Sequence, residues 1–253
     1  MSSAISPYYK DEYVTLYCAD CQEVLPGLER HDLLLTDPPY GNNSAYDHLV
    51  SAQRSMRKTT TVSLGAFKEY PAVDWDNEPI LDELLNLCIN KTDKQIIFGG
   101  NYYKLPPSRC WLVWDKETSG HFADAELAWT NLDQAVCLKR YLWNGCMKEH
   151  PETRFHPTQK PLAIMSWCLE RAGAEVTSVL DPFMGSGTTL VAAKLRNLRA
   201  TGIEREEQYC EIAAKRLEQG VLRLYQPQRV REIQTDLSGA NSCQKIIMNC
   251  LVS

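Results

Sequence analysis

Two short runs of this sequence hold residue types that could do chemistry together: Thr36-Asp-Pro-Pro-Tyr-Gly41 and, far downstream, Asp181-Pro-Phe-Met-Gly-Ser-Gly-Thr-Thr189. The first ends an apolar stretch and sets a carboxylate, two proline-fixed backbone carbonyls and an aromatic ring side by side, from Asp37 through Pro38 and Pro39 to Tyr40. A carboxylate and a fixed carbonyl accept hydrogens from an amine, and an aromatic ring stacks on a planar heterocycle. The second run is a glycine turn between an apolar strand and a helix, where backbone N–H groups approach an anionic ligand.

The glycine turn is read further from its neighbours. A nucleoside-triphosphate P-loop needs a lysine after its last glycine, and Thr188 stands there, which argues against triphosphate hydrolysis. Glu204 falls at the tip of the next predicted strand, about 20 residues on, where an acid accepts hydrogen bonds from ribose hydroxyls. These features fit S-adenosylmethionine or a dinucleotide.

The elements that must position these runs follow from periodicity. Alternation over 14–18 and the apolar run 32–36 predict buried strands, each followed directly by a candidate functional residue. Helical spacing at 80–88 leads to a strand over 95–98, and a further strand covers 111–114. Segments 124–130 and 134–142 are expected to pair as an antiparallel hairpin around 131–133. A helix over 160–172 opens at Pro161, turns Leu162, Met165 and Leu169 inward and stops at Gly173. Strand 176–180, helix 188–198, strand 200–203 and helix 207–219 complete an α/β alternation, which implies a doubly wound, mainly parallel sheet with ligands at the carboxyl ends of its strands.

At 253 residues and 44% hydrophobic content, the chain can bury one large core. We expect a catalytic domain over 1–223, with polar insertions at about 41–73 and 116–155 and a C-terminal arm or tail at 224–253. There is no apolar run long enough to span a bilayer, and Met1-Ser-Ser-Ala lacks the pattern of a signal peptide, so no membrane association and a cytoplasmic location are expected. Ten cysteines at irregular spacings suit reduced core thiols. Cys18-Ala-Asp-Cys21 has no second ligand pair, so no metal site is expected.

The net charge of −5 and pI near 5.6 are unlike a typical nucleic-acid-binding domain, whose pI commonly exceeds ~9. The distribution differs from the total. Residues 41–68 hold Arg54, Arg57, Lys58 and Lys68 against Asp47, and 136–160 hold Lys139, Arg140, Lys148, Arg154 and Lys160 against Glu149 and Glu152. Basic segments on an acidic body suit a protein that meets phosphates on one face.

With both runs in this order, and with His156-Pro-Thr-Gln-Lys-Pro161 between them, the chain resembles the permuted, or β-class, DNA amino-methyltransferases over most of residues 13–219. The resemblance implies a Rossmann-like sheet with circularly permuted motif order, S-adenosylmethionine as cofactor, and double-stranded DNA as substrate. It implies that Asp37, Pro38, Pro39 and Tyr40 are catalytic, the target base being flipped from the duplex. Asp181, Phe183, Gly185, Ser186, Gly187 and Thr188 would line the cofactor site, Glu204 would hold its ribose, and Asp20 beside Cys21 its adenine ring. Thr158 and Lys160, with Asp37, would enclose its methionine end. A plainer role for Asp20 is a helix N-cap, and for Thr158 and Lys160 a helix start with solvated side chains.

In the same family, enzymes acting on adenine N6 usually carry Asp or Asn at the first motif position and those acting on cytosine N4 usually Ser, so the resemblance favours adenine through Asp37. Arg54, Arg57, Lys58, Lys139 and Arg140 are the expected DNA contacts, on a short recognition region. Related enzymes are often dimers, which extends the resemblance to a homodimer. Cytosine-N4 methylation and a non-catalytic cofactor- or DNA-binding subunit are the alternatives.

Overall fold

The computed structural model describes residues 5–41, 80–117, 123–144, 147–148, 155 and 159–219. The insertion at 42–73 with Arg54, Arg57 and Lys58, the residue Thr158, and the arm at 224–253 lie outside the described residues. Among the described residues, no helix is long and apolar enough to cross a membrane.

The first half of the chain gives β1 (Tyr9–Lys10), β2 (Val14–Cys18), α1 (Cys21–Val24), β3 (His31–Thr36), α2 (Asp82–Asn90) and β4 (Thr92–Phe98). Next come β5 (Trp111–Asp115), β6 (Ala125–Thr130), β7 (Cys137–Arg140) and a small ladder of β8 (Trp143–Asn144) with β9 (Met147–Lys148). The chain continues as α3 (Leu162–Ala172), β10 (Ser178–Asp181), α4 (Thr188–Leu195), β11 (Arg199–Glu204) and α5 (Glu207–Glu218). Nine strands form one sheet in the order β1-β2-β11-β10-β3-β4-β6-β5-β7. Pairing is parallel from β2 through β4 and between β5 and β7, and antiparallel at β1–β2, β4–β6 and β6–β5.

Helices cover both faces because successive side chains of a strand point to opposite sides. Leu33 and Leu35 of β3 pack in one core with α3, α4 and α5, whereas Leu34 packs in a second with Cys21 and Val24 of α1 and Leu85 and Cys88 of α2. The apolar run predicted for β3 is therefore buried on both faces. Helix α3 begins after Pro161 and ends at Gly173, whose φ of 106° few other residues adopt. Met165 and Leu169 are buried as expected, joined by Ile164, Cys168 and Ala172, while Leu162 is only partly covered.

The expected hairpin of 124–130 with 134–142 does not form. β6 lies between β4 and β5, with Trp129 opposite both Ile97 and Trp111, and β7 runs parallel to β5 at the sheet edge. Burial explains the choice. Ala128, Trp129 and Thr130 are all enclosed, which needs neighbours on both sides, whereas β7 alternates half-buried and exposed residues and suits an edge. The consecutive antiparallel pair is thus β5 with β6, and it is interior.

Asp32 at the start of β3 ties that strand to β10. Its Oδ2 accepts from Thr177 N (2.7 Å), Thr177 Oγ1 (2.7 Å) and Ser178 N (3.0 Å), and its own N–H donates to Ser178 Oγ at 2.9 Å. Partial burial pushes the Asp32 carboxyl up, but these bonds outweigh it and hold it below its usual value. We expect Asp32→Ala to cost about 1–3 kcal/mol at neutral pH. Because the bonds favour the ionised form, their contribution is present above the unfolded value of 3.8 and is lost as pH falls through the lower folded value. Urea melts of wild type and variant should converge in acid; a gap undiminished there would contradict this role.

Candidate active site

The strand ends place the two motif runs together. A cavity of about 630 Å³ opens at the carboxyl ends of β2, β3, β10 and β11, within the roughly 300–1,000 Å³ range of small-molecule sites. Parallel pairing of β3 with β10 and of β10 with β11 sets their last residues side by side. Thr36 Oγ1 donates to Asp181 Oδ1 at 2.8 Å, joining the strand end before Asp37 to the strand end before the glycine turn.

One wall is acidic and polar. Asp181 is buried, and burial raises its carboxyl to about 6, against hydrogen bonds from Thr189, Thr36 and the Phe183 amide that pull it down. Glu204 accepts from Gly185 N at 3.0 Å and from Glu206 N at 2.9 Å, and burial raises it despite those amides. Asp20 caps α1, accepting from Gln22 N at 2.8 Å, and also lines the cavity. The neighbouring Cys21 thiol is pushed up to about 12 by burial and stays protonated.

The other wall is built around Asp37. Its two oxygens accept from the Tyr40 hydroxyl and the Lys160 ammonium. Lys160 also lies 3.2 Å from Glu126 Oε2, and Glu126 Oε1 lies 2.5 Å from Lys116 Nζ. Burial raises the Asp37 carboxyl and the Glu126 charge adds to this, while Lys160 and the Tyr40 hydroxyl oppose it. Tyr103 OH donates its one hydrogen to the Pro39 carbonyl at 2.6 Å and also lies 3.3 Å from the Pro38 carbonyl, bracing the turn from outside. Tyr40 stacks on Tyr102 with centroids 5.0 Å apart and planes 21° off parallel.

Of the expected site residues, Asp20, Cys21, Asp37, Pro39, Lys160, Asp181, Phe183, Gly185, Ser186, Thr188 and Glu204 line the cavity. Gly187, Pro38 and Tyr40 do not. Gly187 packs closely on α5: its φ is 78°, and a Cβ there would stand 2.9 Å from Ala213 Cβ. Lys160 is buried rather than solvated. Lys139 and Arg140 lie on the edge strand β7, where Arg140 pairs with Asp115 at 3.3 Å, away from the cavity lining.

Sequence reasoning missed Glu126, Lys116, Tyr103 and Arg216. Arg216 Nη1 on α5 donates to Ser186 O at 2.6 Å and reaches Ser186 Oγ and Thr188 Oγ1 at 3.2 Å, bracing the glycine turn from behind. A basic residue in the last turn of a helix is common as a partner of the helix dipole, so nothing in the sequence marks Arg216.

Residues 85–215 match the N6_N4_Mtase family, described as DNA methylase. The Type II methyltransferase M2.LlaDCHI of Lactococcus lactis subsp. cremoris is 41% identical over 254 residues, spanning 85% of this chain and 93% of that protein. The chain belongs to the N6/N4 DNA methylase family. Among solved structures, the M1.HpyAVI–SAM complex aligns with a TM-score of 0.51 at 23% identity, covering 80% of this chain and 99% of that one. The PvuII DNA methyltransferase (cytosine-N4-specific) aligns with a TM-score of 0.53 at 15% identity, covering 83% and 88%. These likenesses establish a methyltransferase-like α/β fold, mostly parallel with some antiparallel strands.

Gly99 leaves the space that the Tyr40 ring occupies. Its φ is 65°, and an added Cβ would stand 2.1 Å from Tyr40 Cε1. Gly99→Ala should therefore destabilise the fold by about 1–3 kcal/mol and drive the Tyr40 ring aside. An unchanged urea midpoint would show that the ring has room to yield.

Proposed function

We propose that the protein is an S-adenosylmethionine-dependent DNA adenine-N6 methyltransferase of permuted motif order, acting on a flipped adenine in a short target sequence. One observation carries the reading: Asp37 lines the same cavity as the Asp181 glycine turn and Glu204, although these segments lie far apart in the chain. The cavity suits the cofactor, with carboxylates at Glu204 and Asp20 for a nucleoside and an apolar wall of Phe183, Leu84 and Ile80. S-adenosylmethionine supplies an activated methyl group on a sulfonium centre.

The chain's own residues prepare the acceptor. The lone pair of an exocyclic adenine amine is delocalised into the ring, which makes it a poor nucleophile. Asp37 accepting one N6 hydrogen and the Pro38 carbonyl the other would favour a pyramidal nitrogen with its lone pair directed outward. The bond from Tyr103 OH to the Pro39 carbonyl supports this reading, since it braces the turn without a substrate present. Flipping the base costs a few kcal/mol, and stacking on Tyr40 would return roughly 1–3 kcal/mol. The face of Tyr40 now covered by Tyr102 becomes available if that ring, 52% exposed, swings away. Lys139 and Arg140 on β7, with Arg54, Arg57 and Lys58, are the proposed phosphate or base contacts.

The test is incubation of the purified protein with unmethylated genomic DNA and isotope-labelled S-adenosylmethionine, followed by nucleoside mass spectrometry. Label is expected in N6-methyladenine. Label in N4-methylcytosine would replace the adenine assignment, and no label despite measured cofactor binding would favour a non-catalytic subunit. Asp37→Ala should lower kcat on the order of 10²–10³-fold while leaving cofactor affinity largely intact, because its contribution lies in the transition state.

A further inference from the structure

Asp37, Lys160, Glu126 and Lys116 form an alternating row of carboxylates and ammonium groups running from the Asp37 turn to β6 and the end of β5. Their side chains are 18%, 8%, 23% and 11% exposed, so the row is largely withdrawn from water. Two features separate it from a simple buried ion pair. Glu126 Oε2 is buried with no hydrogen bond among the described residues, although Lys160 Nζ lies 3.2 Å away. It is an acceptor in charge contact but out of alignment. Meanwhile both oxygens of Asp37 already accept a hydrogen bond, Oδ2 from that same ammonium.

A substrate amine that engages Asp37 shares an oxygen with Lys160, and each new donor on that carboxylate weakens its hold on the ammonium. Were Asp37 the sole partner, displacement would strand a buried ammonium, which is strongly unfavourable. Glu126 offers the alternative within reach of a small rotation about the lysine's last bonds. We propose that Glu126 is a positioning residue for catalysis, the second seat of Lys160, which takes the ammonium on Oε2 when a substrate amine engages Asp37. This rests on the amino-methyltransferase reading of the Asp37 turn.

A proton relay along the same row is the competing mechanism, and Glu126 argues against it. Burial pushes its carboxyl up, but the Lys160 and Lys116 charges together outweigh that and hold it at about 2, too low to carry a proton at neutral pH. Lys160 stays an ammonium: burial disfavours its charge, and Asp37 and Glu126 more than restore it. Asp37 is faced by Tyr40 from its own turn, by Lys160, by Glu126 on β6 and by Asp181 on β10. The thiol of Cys168 on α3 also faces Lys160 and is kept protonated by burial.

The seat is tested directly, without activity, by a crystal structure of the Asp37→Ala variant. Lys160 Nζ is expected to donate to Glu126 Oε2; a lysine that leaves Glu126 for solvent would overturn the proposal. For the reaction, Glu126→Gln should lower kcat on the order of 10–100-fold with cofactor affinity unchanged. Removing a like charge that faces Asp37 lowers the Asp37 pKa, so the acid limb of the kcat–pH profile should move to lower pH. Glu126→Asp should recover part of both. An unmoved acid limb with an unchanged plateau would count against Glu126. If wild type transfers no methyl group, the function reading falls, while the Asp37→Ala structure still decides the lysine's seat. It also decides should Glu126→Gln fail to fold.

Discussion

The parallel pairing of β3 with β10 is the contact on which the rest of the site depends. Leu33 lies opposite Val179 and Leu34 opposite Leu180, and the Asp32 carboxylate fixes that register at the start of both strands. A one-residue slip would invert every side chain of β3, sending Leu34 into the core of α3 to α5. It would also pull Asp37 away from the glycine turn. The buried Thr36–Asp181 hydrogen bond closes the same ladder at its functional end, so packing at one end and polar geometry at the other enforce one alignment.

Beyond that ladder, the site holds charge where packing alone would favour apolar groups. Buried ion pairs are weak sources of stability, since desolvation offsets much of their attraction. Glu126 and two ammonium groups around Asp37 are better understood as positioning a carboxylate whose charge burial disfavours, beside an otherwise dry wall. Phe98 and Trp114 supply that wall, with Lys160 5.2 Å from the first ring centre and Lys116 5.1 Å from the second. Aromatic faces stabilise cations without neutralising them, which leaves the carboxylates as the groups that choose where each ammonium sits.

What could be read in the sequence was whatever chemistry is local. Asp37 to Tyr40, the glycine turn and Glu204 are strings whose neighbours explain them, and the strand–helix alternation implied that they would meet at one sheet edge. At Gly187 a glycine looks the same whether its backbone meets a ligand or a helix approaches it closely, and the approach of Ala213 could be seen only in the fold. The hairpin failed for a similar reason. Asn131 resembles a turn residue, yet its side chain is spent on β4, accepting from Gln95 N at 2.8 Å and donating to Asp93 O at 2.9 Å. Glu126 was hidden by alternation: in a strand beside Ala125 and Leu127 a glutamate reads as solvent-facing, and only the folded arrangement brings Lys160 and Lys116 to it.

The central claim is that one cavity holds the cofactor and presents its reactive end to Asp37. A crystal structure with S-adenosylmethionine bound tests it most directly. The account predicts the ribose at Glu204, the adenine ring near Asp20 and Phe183, and the sulfonium methyl pointing toward the Asp37 side. A cofactor lying elsewhere, or bound in this cavity with its methyl group turned away from Asp37, would contradict it.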